Sequence, residues 1–242
     1  MKISLKVFRK IARNNPIYIL GILFFVLLTS CNTTKFLKED EVLLKGVDVK
    51  LISKDKVANP SDLKSELIQF YKQTPNGKFF FVPREWYYFR NQDEGDTTWI
   101  KKWTKRMLAE PPAILDSVHV DDASKDMQMY LRNKKGFYKA EVSHNIKKDG
   151  KIANVQFIID PKKRYTINDL HYISLDKKLK PIIDSLAQYQ LIKKGDPIDA
   201  LKFDLEQQRI VSELQNMGYA NFNLNYIDIK GDSTNLINSI DI

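Results

Sequence analysis

The 242-residue sequence is poor in the residue types that most often perform catalysis or bind metal ions, since it has only one cysteine and three histidines. A single cysteine, Cys31, excludes an intramolecular disulfide. The histidines, His119, His144 and His171, have no metal-ligand spacing to each other or to the cysteine. A glycine-rich phosphate loop and a G-x-S-x-G motif are also missing. We therefore expect no enzyme, metal or cofactor; an enzyme would need a site built from residues without a sequence signature.

Little excess charge is left once the first 30 residues are set aside. The formal net charge is +9, but five of the 39 basic residues lie in this leading segment, which contains no acidic residue. The rest of the chain has 34 basic and 30 acidic residues, a net charge of +4. Because these charges are interspersed, they form no basic stripe of the kind that binds nucleic acid. We therefore expect no nucleic-acid partner.

A long hydrophobic run is missing as well. The 12-residue apolar stretch Ile17–Leu28 follows a basic segment and is shorter than a membrane span. Its end resembles the Leu-x-small-Cys lipobox of bacterial lipoproteins: Leu28, Thr29, Ser30 and Cys31. The alternative is an uncleaved signal anchor with an incidental cysteine. Because basic segment, short apolar run and cysteine follow in the order that a lipoprotein signal requires, we predict a signal peptide over residues 1–30.

The lipobox resemblance implies a lipid anchor. In lipoproteins the cysteine thiol receives a diacylglycerol, the preceding peptide is removed and the new amino group is acylated, so the mature chain would begin at Cys31. Several buried acyl chains give lasting membrane attachment, at about 0.8 kcal/mol per methylene. Asn32 replaces the aspartate that marks inner-membrane retention in well-studied lipoproteins, which favours the outer membrane. Residues 31–40 are predicted to be a tether next to the lipid.

One pattern occurs twice in the chain: an apolar-periodic helix, a glycine, an aromatic residue and then an alternating strand. The glycines are Gly136, before Phe137, and Gly218, before Tyr219, and they lie 82 positions apart. A glycine at the end of a helix takes the left-handed C-cap conformation without a Cβ penalty. We therefore predict structural roles for both glycines and two copies of one supersecondary unit.

Each copy is predicted to contain a strand, two helices and a hairpin of two strands. The first copy has a strand ending near residue 52, a helix starting at Asn59-Pro60, a helix over 116–135, and strands over 140–146 and 152–159. The second copy has a strand over 164–173, helices over 179–189 and 199–217, and strands over 222–229 and 236–242. The last of these helices has an apolar stripe: Leu201, Leu205, Ile210 and Leu214.

Residues 73–115 interrupt the first copy between its two helices and are rich in aromatic side chains. Nine of the 27 aromatic residues, including every tryptophan, fall within positions 79–103. In this insertion, Trp99–Leu108 has apolar residues at helical spacing and a basic opposite face. We expect the apolar face to pack on its own module, because such a face usually belongs to a core. The alternatives are an acidic lipid surface or a neighbouring domain.

The order of elements resembles the POTRA (polypeptide transport-associated) domain, an α+β fold. In the second copy the resemblance rests on Gly195-Asp196-Pro197, Arg209-Ile210 and Gly218-Tyr219 with the hairpin that follows. The first copy shares the second helix, Gly136-Phe137-Tyr138 and the hairpin, with one extra residue before its glycine. We predict tandem β-α-α-β-β modules: domain 1 over residues 41–160, with the insertion 73–115, and domain 2 over residues 161–242.

Together with the lipobox and the insertion, the segments Thr33-Thr34-Lys35-Phe36-Leu37 and 110–116 resemble lipoprotein relatives of the BamA and TamA outer-membrane assembly proteins. This resemblance implies periplasmic domains that bind outer-membrane protein clients and partner proteins, such as a TamB-like periplasm-spanning partner. It also implies that a transmembrane β-barrel follows the POTRA domains in the parent protein, for which residues 31–242 are too short.

Clients are expected to bind by strand addition, because the unpaired backbone groups of a sheet edge accept many sequences. The predicted edges are residues 140–146 and residues 222–229, which include Phe222, Leu224 and Tyr226. Trp99 and Trp103 offer a second partner-binding surface. The alternative function is a structural lipoprotein scaffold that docks a periplasm-spanning partner through the aromatic insertion.

Overall fold

The computed structural model describes residues 33–91, 98–233 and 239–242, which combine six α-helices with seven β-strands. This composition confirms the predicted α+β class. The predicted signal peptide, the lipobox and Cys31 lie outside the described residues. Within the described ranges, no helix has both the length and the apolar composition needed to cross a membrane.

The first module has the predicted order of strand, helix, helix, strand and strand. Its elements are β1 (Leu43–Leu51), α1 (Pro60–Ile68), β2 (Lys78–Phe79), β3 (Val82–Pro83), α2 (Arg84–Arg90), α3 (Trp99–Met107), α4 (Ser117–Lys134), β4 (Glu141–Asp149) and β5 (Ile152–Asp160). The elements from β2 to α3 belong to the insertion. Helix α1 starts at Pro60 as predicted, because a proline in the first turn removes no helical hydrogen bond.

The second module keeps this order only in part. Its elements are β6 (Thr166–Asp169), α5 (Lys180–Leu186), α6 (Ala200–Asn216) and β7 (Ser239–Asp241). The prediction of a strand over 222–229 is wrong, because Leu224–Tyr226 form a single 3-10 turn. The Asn223 side chain accepts a hydrogen bond from the Asn225 N–H at 3.0 Å, and this local bond favours the turn over an extended strand.

The main sheet has the strand order β1-β5-β4. A two-residue turn at Gly150 and Lys151 joins β4 to β5, and Gly150 has a φ of 55° there, so the predicted hairpin is confirmed. Strands β2 and β3 pair in an antiparallel hairpin, and β6 pairs in parallel with β7.

Both repeated glycines end their helices in the predicted way. Gly136 has a φ of 72° and Gly218 has a φ of 99°, in the left-handed region that favours glycine. After Gly218, the Tyr219 N–H donates to the Leu214 carbonyl at 3.0 Å. After Gly136, the equivalent bond reaches the Leu131 carbonyl, one residue further back. This longer closure accommodates the extra residue of the first copy.

The described residues divide into two compact units. The insertion unit consists of the described residues up to Val47, Gln73–Asp116 and Ile146–Val155. The repeat unit consists of Asp48–Lys72, Ser117–Asn145 and Gln156–Ile242. The predicted domain boundaries at 41–160 and 161–242 stay a prediction.

Each unit has its own buried core. The core of the insertion unit includes Leu43, Leu44, Leu108, Ala153 and Val155. In the repeat unit, α1, α4 and β5 bury a group of large side chains: Leu67, Val120, Met127, Leu131, Phe157 and Ile159. The second module adds two clusters, one of Ile167, Ile192, Ile198 and Ile240 and one of Leu186, Ile210 and Leu214.

The apolar stripe predicted for α6 is buried only in its second half. Ile210 and Leu214 are buried, but Leu201 and Leu205 are 63% and 47% exposed. Glu206, four residues before Ile210, is buried in line with them. The periodicity predicts that Leu201 and Leu205 face the core, but in this part of α6 the buried side chain is that of the charged residue Glu206.

Candidate partner-binding edge

Strand β4 is an outer strand of the main sheet. In an antiparallel pair, alternate residues direct both backbone groups towards the partner strand, and the residues between them direct both groups away. The two-residue turn pairs Asp149 with Ile152, so the odd-numbered residues of β4 face β5. The even-numbered residues direct their N–H and C=O groups to the open side: Val142, His144, Ile146 and Lys148.

Two side chains of α4 agree with this alternation and cover the first part of the edge. The Gln128 Oε1 accepts a hydrogen bond from the Val142 N–H at 3.2 Å. The Arg132 guanidinium donates to the Ala140 carbonyl at 3.0 and 2.8 Å. Among the described residues, no comparable side chain reaches the backbone of the even-numbered positions that follow. The open edge of β4 therefore begins after Val142.

The side chains of β4 alternate as in a strand with one covered face. Val142, His144 and Ile146 are half-buried, and the odd-numbered residues between them are exposed. The His144 Nδ1 lies 3.1 Å from the Ser124 hydroxyl, and its Nε2 lies 3.6 Å from an Asp121 carboxylate oxygen. These contacts with α4 fix the strand on its helix and leave its outer backbone groups available.

The insertion closes part of the opposite edge. The Leu44 N–H donates to the Ala113 carbonyl, and the Leu115 N–H donates to the Val42 carbonyl, both at 2.8 Å. Residues 113–115 thus pair with the start of β1 in the manner of a short added strand. Strand addition is already used inside this chain, at the edge where β1 begins.

The second predicted edge is absent, since residues 222–229 form no strand. Phe222 is half-buried and packs against the cluster of α5 and α6 side chains that includes Leu214. Leu224 and Tyr226 are 46% and 68% exposed, and the Tyr226 ring lies 5.5 Å from the Phe222 ring. Because residues 222–229 offer no strand, a client cannot bind there by strand addition. Partner binding by its exposed side chains stays a prediction.

Helix α3 forms as predicted, but the prediction that its apolar face packs on its own module is wrong. The apolar side chains of that face are exposed: Trp99 (75%), Ile100 (62%), Trp103 (46%) and Met107 (54%). The packed side instead includes Thr104, whose hydroxyl lies 3.3 Å from the Asn91 amide nitrogen, and it ends at the buried Leu108. The two tryptophans therefore face solvent.

A cleft of about 510 Å³ in the repeat unit has basic side chains in its lining, but two of them are already paired. The Lys135 ammonium lies 3.1 Å from Glu66 and 3.6 Å from Asp199, and Arg164 lies 3.2 Å from the same Asp199 oxygen. Burial alone would lower the pKa of Lys135, but the hydrogen bond to Glu66 and the charge of Asp199 raise it. These residues join the two copies of the repeat and do not form an anion site.

The buried Glu206 is also a structural group. Its carboxylate accepts hydrogen bonds from the Tyr172 hydroxyl at 2.7 Å, from the Leu191 N–H at 2.9 Å and from the Arg209 guanidinium. Burial alone would raise the pKa of Glu206, but these hydrogen bonds, that of Arg209 foremost, lower it. A carboxylate saturated in this way stays ionised and is a poor general base. Across the described ranges, no group of three His, Cys, Asp or Glu residues could hold a metal ion.

Sequence reasoning missed Gln128 and Arg132, which decide where the open edge begins. The two residues lie four positions apart, on one face of α4. No sequence signal separates a polar residue that covers a sheet edge from any other polar residue of a surface helix.

Comparisons with known proteins give only distant similarities. No family model and no curated protein matches the chain. Among solved structures, it is similar to POTRA1-2 of the periplasmic domain of Omp85 from Anabaena, with 11% identity, a TM-score of 0.36, and coverage of 84% of this chain and 96% of that chain. POTRA3-5 of Haemophilus influenzae BamA has 10% identity and a TM-score of 0.30, with coverage of 85% and 96%. POTRA1-3 of the Anabaena protein has 11% identity and a TM-score of 0.37, with coverage of 84% and 62%.

Proposed function

We propose that this chain is the periplasmic POTRA region of an outer-membrane lipoprotein of the TamL type, which acts in outer-membrane protein assembly or translocation by binding clients. The observation that carries the proposal is the open edge of β4, placed in a module with the order strand, helix, helix, strand, strand. An edge of this kind pairs with extended segments through backbone groups, so one surface serves clients of many sequences. In this proposal the chain binds client proteins and passes them to the next step of assembly, and it catalyses no reaction.

The geometry of the edge sets how a client strand would lie. One backbone donor and one acceptor are open at each of His144, Ile146 and Lys148. Earlier on the edge, Gln128 already accepts from the Val142 N–H and Arg132 already donates to the Ala140 carbonyl. Each added hydrogen bond contributes about 1 kcal/mol net, so the pairing as a whole is weak and reversible. Weak pairing suits a protein that must release each client to the next step of assembly.

In this proposal the chain is held at the outer membrane through the acylated Cys31, and the domains after it lie in the periplasm. The basic segment, the short apolar run and the lipobox support this placement, as does Asn32 at the position after the cysteine. A membrane-held edge stays close to the site where its clients insert.

Ile146→Pro and Lys148→Pro are expected to weaken the binding of an extended outer-membrane protein peptide by about tenfold or more, because proline removes an outward N–H donor. These N–H groups point away from β5, so the hairpin keeps its own ladder. The measurement is photo-crosslinking of a labelled peptide to residues 32–242, after circular dichroism has shown that each variant folds.

Ile146→Ala and Lys148→Ala are the matched controls, since they shorten the same side chains and keep the donors. They should crosslink like the unmodified chain. Proline variants that fold and crosslink as well as their alanine controls would show that β4 does not accept an added strand.

Cys31→Ala is expected to abolish incorporation of labelled palmitate and cleavage before residue 31, because the thiol is the acceptor of the lipid. Ser30→Ala keeps a small residue in the lipobox and should be labelled normally. Undiminished labelling of Cys31→Ala would refute the lipoprotein assignment, whatever β4 binds.

The exposure of Trp99 and Trp103 favours a second candidate function, a scaffold that docks a TamB-like periplasm-spanning partner through the insertion. The two functions are separable by mutation. If the chain is a scaffold, Trp99→Ala with Trp103→Ala should abolish binding of the periplasm-spanning partner, and Ile146→Pro should leave it unchanged. If the chain binds clients along β4, Ile146→Pro should weaken client binding, and the tryptophan variants should leave it unchanged.

A further inference from the structure

The insertion unit exposes an apolar surface that its own core does not use. On α3 this surface consists of the four exposed apolar residues from Trp99 to Met107. The turn between β2 and β3 adds Phe80 and Phe81, which are 81% and 76% exposed. The Arg84 side chain donates to the Leu108 carbonyl at 3.1 Å and to the Met107 carbonyl at 2.9 Å, so it ties the base of this hairpin to the end of α3.

Basic residues border this surface. Helix α3 contains Lys101, Lys102, Lys105 and Arg106 and no acidic residue. In the described part of the chain, the charges of Lys102, Lys105 and Arg106 have no acidic partner. A short helix with aromatic residues exposed on one side and cations beside them has the composition of helices that lie in a membrane interface. Tryptophan and phenylalanine enter the headgroup region, and the cations contact anionic lipid.

The tether gives an independent reason to place the insertion at a membrane. The Phe36 ring stacks on the Phe89 ring of α2 at 5.1 Å, and Lys151 donates to the Leu37 carbonyl at 2.7 Å. Phe36 comes five residues after Cys31, so the stretch between them spans at most about 17 Å. An acyl anchor on Cys31, as proposed above, would therefore attach within this distance of Phe36, which packs on α2, the helix that precedes α3.

We propose that Phe80, Phe81, Trp99, Ile100, Trp103 and Met107, bordered by Lys102, Lys105 and Arg106, form a peripheral binding surface for an anionic membrane. The surface would enter the headgroup layer and fix the orientation of the tethered chain on the bilayer. This inference goes beyond the proposed function: its tether argument rests on the proposed acylation of Cys31, but binding of the surface to lipid needs neither that acylation nor client binding.

The test uses unlipidated residues 32–242 and flotation with phosphatidylglycerol-rich vesicles or pure phosphatidylcholine vesicles. Binding is expected to the anionic vesicles, with a blue shift of tryptophan fluorescence, and it should weaken as salt rises. Lys102→Gln, Lys105→Gln and Arg106→Gln should each lower the partition coefficient on anionic vesicles about fivefold. Trp99→Ala with Trp103→Ala should lower it by about tenfold or more on the same vesicles.

Matched controls come from the repeat unit, where Ile173 and Leu175 are 82% and 99% exposed. Ile173→Ala with Leu175→Ala, and Lys177→Gln with Lys178→Gln, should leave the partition unchanged. The proposal is overturned if the unmodified chain fails to bind anionic vesicles, as expected when a protein partner covers α3 instead. It is also overturned if the control pairs reduce binding as much as the α3 variants. Either result leaves the β4 and Cys31 tests untouched.

Discussion

Gly136→Ala is expected to destabilise the repeat unit by about 2–4 kcal/mol, against about 1 kcal/mol for Gly218→Ala. Both glycines have positive φ, so both variants carry the backbone strain of an L residue in the left-handed region. A Cβ at Gly136 would also lie 2.8 Å from both the Cβ and the carbonyl oxygen of Ile198, whereas a Cβ at Gly218 would meet nothing within 4 Å. The second contact is with backbone, which cannot give way as a flexible side chain can.

Urea unfolding of residues 32–242, followed by far-UV circular dichroism, measures this difference. Gly218→Ala serves as the matched control, because it has the same conformational strain without the close approach. In an Ile198→Gly background, Gly136→Ala should cost less than in the unmodified chain, since glycine at position 198 removes the Cβ half of the contact. Equal costs for the two glycine variants would mean that Gly136 is not packed against Ile198.

Lys45→Met is expected to cost the insertion unit about 3–5 kcal/mol, because it leaves a buried carboxylate without its cation. Glu85 is 0% exposed, and the Lys45 ammonium lies 3.1 Å from its Oε1. Among the described residues, the other carboxylate oxygen of Glu85 has no hydrogen-bond partner. The charge on β1 is therefore the group that makes burial of the acid in α2 tolerable.

Tryptophan fluorescence isolates this effect, since all three tryptophans, Trp86, Trp99 and Trp103, belong to the insertion unit. Glu85→Gln keeps the shape and removes the charge, so Lys45→Met with Glu85→Gln should restore most of the lost stability. If the Lys45→Met variant unfolds at the same urea concentration as the unmodified chain, then the Lys45 charge does not stabilise the buried Glu85 carboxylate.

Sequence reasoning succeeded where the local signal and the fold agree. The position of Gly136 and Gly218 after an apolar helix predicts left-handed caps, and both glycines have positive φ. The hairpin of β4 and β5 follows from alternation on both sides of a turn with Gly150. In each case a few neighbouring residues contain all the information, so no tertiary contact had to be known.

The failures have two physical causes: periodicity does not say which side of an element meets the core, and it contains neither local side-chain hydrogen bonds nor contacts with distant strands. Leu201 and the two tryptophans of α3 have the spacing of buried residues, yet they are exposed. Residues 222–229 alternate like a strand, but the Asn223 side chain stabilises a local turn. The edge-covering role of Gln128 depends on a strand more than ten positions away in sequence, which no local pattern contains.

The most direct test of strand addition at β4 is amide hydrogen exchange on residues 32–242, with and without an extended outer-membrane protein peptide. The odd-numbered amides of β4 are already bonded to β5 and should be protected in both states. The amides of His144, Ile146 and Lys148 should become protected only when the peptide is present, and Val142, bonded to Gln128, should change little. Peptide binding that leaves these three amides unprotected would contradict the proposed mechanism.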